Sequence, residues 1–125
     1  MADPAAAAER LIQAYNAKDF EAMEAMIAPE LDFAHFNRDF TMHSRDELLG
    51  VLRAFAETYV PDRRFEAPER VIASGNLVVR EAWYVGTAAV DLPGFGAAGE
   101  MFRFKFCSVM RFDDNDVLVE WKDHG

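Results

Sequence analysis

Met101-Phe102-Arg103-Phe104-Lys105-Phe106-Cys107-Ser108-Val109-Met110-Arg111-Phe112 places a phenylalanine at every second position from Phe102 to Phe106 and ends on another. Side chains alternate across a strand, so Phe102, Phe104, Phe106, Ser108, Met110 and Phe112 share one face. Arg103, Lys105, Cys107, Val109 and Arg111 share the other. A strand that is apolar on one side and charged on the other belongs to an antiparallel sheet with its core on a single face.

The neighbouring segments extend that sheet. Asp113-Asp114-Asn115-Asp116 is a turn, and Val117–Asp123 is a last strand with Val117, Val119, Trp121 and Asp123 on one face. Upstream, Leu77–Val90 reads as a long strand and Ser74-Gly75-Asn76 as a turn. Arg64–Ala73 reads as a strand that Pro68 interrupts, which places it at an edge or a bulge. The Gly-rich loop Asp91–Gly99 lacks the Lys-Ser/Thr ending of a phosphate-binding loop and precedes no helix, so phosphate binding is rejected there.

Helical signals fill the N-terminal half. Asp3-Pro4 caps and opens a helix with Leu11, Ile12 and Tyr15 on one stripe. Asp19-Phe20 opens a second, with Phe20, Met23, Met26 and Ile27 aligned and Pro29 as its end. Two short strands follow, Leu31–Phe36 and Phe40–Met42. Ser44-Arg45-Asp46-Glu47 is a capping box that opens a third helix carrying Leu48, Leu49, Leu52, Phe55, Ala56 and Tyr59. The expected fold is α+β: a single domain over 1–125, with three N-terminal-half helices packed over a cone-like, curled antiparallel sheet. Such a sheet encloses a deep apolar pocket.

Bulk properties narrow the function. The chain has 125 residues, with 51% hydrophobic and 28% charged residues, a globular composition. Its formal net charge of −9 opposes phosphate backbones and anionic lipid. A primary role in nucleic-acid or membrane-surface binding is therefore not expected, and Arg63-Arg64, the longest basic run, is a weak footprint. Nothing in the sequence approaches a secretory signal or the roughly 20 apolar residues of a membrane span. The lone Cys107 has no intramolecular partner and fits a reducing cytoplasm.

Three short pieces carry a family resemblance: Tyr15-Asn16-Ala17-Lys18-Asp19-Phe20, Ile27-Ala28-Pro29-Glu30 and Val119-Glu120-Trp121-Lys122-Asp123. In this order and spacing the chain resembles the nuclear transport factor 2-like superfamily, which includes SnoaL-like polyketide cyclases, ketosteroid isomerases and limonene epoxide hydrolases. The resemblance implies a cone-shaped α+β barrel without cofactor or metal, and a small hydrophobic molecule as ligand. One fold hosts many reactions, so the site must be argued residue by residue.

Asp123 is the first candidate. Alternation puts its carboxyl beside Trp121, and a carboxylate among apolar groups becomes an acid or base near neutral pH. The Trp-x-Asp spacing resembles that of limonene epoxide hydrolases, whose Asp-Arg-Asp group activates water. Asp123 matches one Asp there and Arg80 the Arg, but Ala82 stands where the second Asp belongs, so that mechanism is incomplete here.

His35 shares a face with Leu31 and Phe33, from which it can shuttle a proton or orient a carbonyl. Tyr15, Tyr59 and Tyr84 are candidates for a donor to an oxyanion, as a tyrosine is in ketosteroid isomerases, and Tyr84, on the Arg80 face, is the best placed of the three. Trp121, Phe33 and Tyr15 are expected to line the pocket. His35 and His43 fit no metal-ligand spacing, and His124 reads as a tail residue. The expected activity is acid–base chemistry, cyclisation or isomerisation, on a hydrophobic oxygenated ligand, with Asp123 as base or acid, His35 as its partner and Arg80 or Tyr84 stabilising negative charge. The alternatives are a noncatalytic ligand binder, an interaction module or, last, an epoxide hydrolase, and the fold is expected to form a homodimer through the outer face of the sheet.

Overall fold

The computed structural model describes residues 2–125. The alternating stretch forms β6 (Met101–Phe112), and it pairs along its whole length with β5 (Leu77–Thr87). Phe102, Phe106, Ser108, Met110 and Phe112 are buried, and Met101, Arg103, Lys105 and Arg111 are exposed. The period-2 pattern thus sets which face carries the core.

Seven strands make one sheet. β1 (Ile27–His35), β2 (Phe40–Met42), β3 (Arg64–Phe65), β4 (Arg70–Ser74) and β7 (Leu118–His124) complete it, in the order β2-β1-β7-β6-β5-β3, with β4 also paired to β5. Every pair is antiparallel except β1 with β7, which run parallel. The sheet is therefore mixed and not wholly antiparallel as expected. Between β1 and β7 the chain passes through β2, α3 and β3 to β6, a connection long enough for the last strand to enter beside the first from the same end.

Helices α1 (Pro4–Asn16), α2 (Phe20–Met26) and α3 (Arg45–Ala54) follow from their caps. Asp3 accepts a hydrogen bond from the Ala6 N–H, Asp19 from the Ala22 N–H, and Ser44 from the Glu47 N–H. The helical spacing of Ala7, Ala8, Leu11, Ile12, Ala14 and Tyr15 turns one buried stripe of α1 onto the sheet. Each fully buried large side chain there, such as Leu11, contributes about 1.5–3 kcal/mol.

Several boundaries differ from the sequence reading, each for a local reason. Pro29 does not end α2. The helix stops at Met26, and Pro29 lies inside β1, where the register with β7 slips between Ile27 and Asp32. A bulge is a place in a sheet where a missing N–H costs no ladder bond. The expected strand 64–73 is split into β3 and β4 around Pro68. Leu118, not Val119, is buried: Arg111 pairs with Glu120 but Phe112 with Leu118, so Val119 is the extra residue of a bulge. The third helix continues from α3 into a π-helical turn, Phe55–Tyr59. His124 is not a tail residue but the end of β7, opposite Cys107.

Candidate active site

A cavity of about 370 Å³ opens between the inner face of the sheet and the helices. Leu48, Val51, Leu52 and Phe55 of α3 and its π turn make one wall, and Phe33, Phe106 and Trp121 of the sheet make another. Leu92, Pro93 and Phe95 bring the Gly-rich loop across it. The polar groups that reach this cavity are few: Asp123, His35, Arg38, Tyr84, Tyr15 and Tyr59. A mostly apolar lining with a small convergent polar set is the form of a small-molecule site.

Asp123 stands in the middle strand of that polar end. In the sheet it lies opposite Ser108 of β6 and His35 of β1, and it is only 4% exposed. Residues two apart on a strand share a face, so the Trp121 indole reaches along β7 and its Nε1–H donates to Asp123 Oδ1 at 2.7 Å. Burial pushes the Asp123 carboxyl up to about 6, against the pull of hydrogen bonds from Ser108 and Trp121 and of the Arg38 charge. Near neutral pH such a group both accepts and returns a proton.

His35 is held neutral. Burial, and then the Arg38 charge, push its imidazole down to about 4. Its ring meets Phe106 edge-on, with centroids 4.7 Å apart. His35 and Asp123 are register partners, yet their side chains share no hydrogen bond: Asp123 is held by Trp121, and the His35 Nε2 faces Arg38 Nη1 at 2.9 Å.

Tyr15 and Tyr84 meet hydroxyl to hydroxyl at 2.7 Å in the buried wall. Burial pushes Tyr15 up to about 12 and Tyr84 well above its ordinary value, so both remain protonated donors. Beneath them Arg63 is buried, with its guanidinium 3.8 Å from the Tyr15 ring centroid and Nη1 donating to the Tyr15 carbonyl oxygen. Phe33 and Trp121 pack edge-on at 5.5 Å beside Asp123.

Arg80 sits elsewhere. It shares the inner face of β5 with Ala82 and Tyr84, but its Nε donates to Glu9 Oε1 of α1 at 2.7 Å, and it does not line the cavity. The structure therefore brings Asp123, His35, Tyr84, Tyr15, Trp121 and Phe33 to one cavity and leaves Arg80 in a helix–sheet ion pair. Ala82 lies apolar between Arg80 and Tyr84, so no second carboxylate completes an Asp-Arg-Asp group. Among the described residues, no three His, Cys, Asp or Glu side chains gather as metal ligands.

Arg38 is the charged cavity residue that sequence reasoning missed. It follows β1 in a 3-10 turn, Phe36–Arg38, and residues three apart in such a turn eclipse one another. That geometry returns Arg38 over His35. Its guanidinium lies 4.3 Å from the Phe95 centroid and 4.8 Å from that of Phe104, and Nη2 donates to the Gly94 carbonyl. The His35-x-x-Arg38 spacing is the one signal of this in the sequence, and it becomes legible only once the turn is known.

A family model described as a SnoaL-like domain matches residues 8–121. No curated protein matches the chain. Among solved structures, IdmH from Streptomyces antibioticus, provisionally assigned as a polyketide cyclase, is 22% identical with a TM-score of 0.79, covering 98% of this chain and 91% of its own. An LEH-like epoxide hydrolase from M. tuberculosis is 20% identical with a TM-score of 0.76, covering 97% and 80%. A protein of ketosteroid isomerase-like fold from Catenulispora acidiphila, solved with trimethylamine, is 14% identical with a TM-score of 0.77, covering 95% and 84%. At these identities the likeness is one of fold.

Proposed function

The chain belongs to the SnoaL-like domain family, and on that premise we propose that it is a cofactor-independent enzyme acting on a hydrophobic, oxygenated ligand by acid–base chemistry. The reaction class is proton abstraction beside a carbonyl, leading to cyclisation or isomerisation. The observation that carries this reading is the buried Asp123 carboxyl, raised to about 6 and aimed by Trp121 in an apolar cavity.

In this reading the Asp123 carboxylate takes a proton from the carbon next to the ligand carbonyl. The electron pair moves onto the carbonyl oxygen, and a hydroxyl of the Tyr15–Tyr84 pair donates to the oxyanion. Protonated Asp123 then returns the proton at the new position. Preorganised donors in a site that excludes water stabilise that charge more than water does.

The test is deuterium exchange at the α-carbon of an apolar ring ketone, 1-tetralone, in heavy water. The expected result is saturable exchange that falls at least about 100-fold in Asp123→Asn, the usual size of a lost general base. No exchange above the buffer background in either protein would move the reading to a noncatalytic binder, and equal saturable exchange by both would remove Asp123 as the base.

The same proposal includes a cytoplasmic homodimer, joined through the outer face of the sheet. Ile72, Val79 and Val109 lie side by side across β4, β5 and β6 on that face, flanked by the ion pairs Arg70–Glu81 and Arg111–Glu120. An apolar stripe rimmed by paired charges suits a self-complementary contact.

A further inference from the structure

The polar end of the cavity contains a fixed donor whose role the acid–base reading leaves open. Both polar contacts of the His35 ring are made by Nε2: Arg38 Nη1 at 2.9 Å and the Gly125 main-chain oxygen at 3.4 Å. Nδ1 has no acceptor among the described residues. An arginine nitrogen only donates. An N–H on Nε2 would therefore face the N–H of a cation at the shorter of the two distances. The Gly125 oxygen at 3.4 Å is the one contact that an Nε2–H would serve, and the closer Arg38 donor outweighs it, so the geometry favours the proton of the neutral ring on Nδ1.

Arg38 is itself held on several sides. Nη1 also donates to the Gly125 oxygen, Nη2 donates to the Gly94 carbonyl, and the guanidinium face lies on Phe95 and Phe104. His35 is in turn held edge-on by Phe106. The charged and titratable groups facing the imidazole are Arg38, His124 and Asp123.

We propose that His35 is a neutral hydrogen-bond donor, through Nδ1–H, to the carbonyl oxygen of the ligand, and that Arg38 is the positioning residue that fixes its tautomer. This rests on the acid–base reading and refines it. The ligand must present a carbonyl acceptor to His35 while its adjacent C–H faces Asp123. His35 polarises the carbonyl and does not carry the proton itself. A neutral donor retains its proton as the oxyanion forms, so only Asp123 cycles between protonation states.

Long-range proton–nitrogen NMR of the imidazole tests this in the ligand-free protein, without a substrate and independently of turnover. The expected spectrum at pH 7 is the Nδ1–H tautomer, kept in Arg38→Lys and shifted towards Nε2–H in Arg38→Met. An Nε2–H or doubly protonated ring in the wild type overturns the proposal, as does an unchanged tautomer in Arg38→Met. The ligand half is read with carbonyl-labelled 1-tetralone. A saturable downfield shift of the carbonyl carbon that is lost in His35→Phe supports it, and no saturable shift up to the solubility limit overturns it. If the tautomer holds while Asp123→Asn leaves exchange untouched, the acid–base reading fails and the assignment of the donor stands.

Discussion

At the scale of single residues, Asp123 and His35 are shifted by burial in opposite directions, and their effects on stability oppose. The Asp123 carboxyl goes from an ordinary 3.8 to about 6, so between those values the folded protein holds more protons than the unfolded chain. Acidification through that window favours folding, by up to about 3 kcal/mol for a fully buried group. The His35 imidazole goes from an ordinary 6.5 to about 4, so there the folded protein holds fewer protons and acidification disfavours folding. The two slopes offset one another in the wild type. Asp123→Asn removes the first and leaves the second. Its urea midpoint should exceed that of the wild type at pH 7, because a buried carboxylate no longer has to form, and should fall more steeply towards pH 4. Parallel pH profiles for the two proteins would contradict the burial of Asp123.

Among elements, β5 carries a close approach that a side chain would break. Gly86 pairs with the buried Phe102, and a Cβ at this position would stand 2.5 Å from Val60 Cγ1 and 3.0 Å from Phe102 Cζ. Val60 is fully buried where the chain leaves the π turn for β3, and it has no room to move away. Gly86→Ala should destabilise the fold by about 1–3 kcal/mol, the usual cost of overpacking, as read from a urea midpoint. An unchanged midpoint would mean that this contact is loose.

The elements also show where sequence was informative. Caps and alternation gave α1, α2, α3, β2, β6 and β7 and put Asp123 beside Trp121, because these depend on spacing within one segment. The parallel pairing of β1 with β7, the bulges at Pro29 and Val119, and the Arg80–Glu9 pair depend on which segments meet. No local spacing encodes that. Arg38 went unread for the same reason: a single arginine has no periodicity, and its place over His35 is set by a 3-10 turn.

For the whole molecule, charge and shape divide between the two sheet faces. The inner face is nearly free of charge apart from Asp123 and Arg80, and the cavity lies there. Most of the sheet's ion pairs are on the outer face, including Lys105–Glu69 and Lys122–Asp32, around the stripe of Ile72, Val79 and Val109. Arg103 lies 4.0 Å over the Trp83 ring, whose Nε1–H donates to Glu69, so Trp83 is held flat against this face. A homodimer through it predicts twice the chain mass of 14.1 kDa by sedimentation. Val109→Lys should yield monomers with an unchanged far-ultraviolet spectrum. A wild type that sediments as a monomer at all accessible concentrations would remove the dimer from the account.

The proposed acid–base chemistry stands or falls with the desolvation of Asp123 in the cavity. The most direct test is the pKa of its carboxyl carbon by carbon-detected NMR titration, which needs no substrate. A midpoint of about 6 is expected. A midpoint at or below the ordinary value near 3.9 would mean a solvated or ion-paired carboxylate, and would contradict that chemistry.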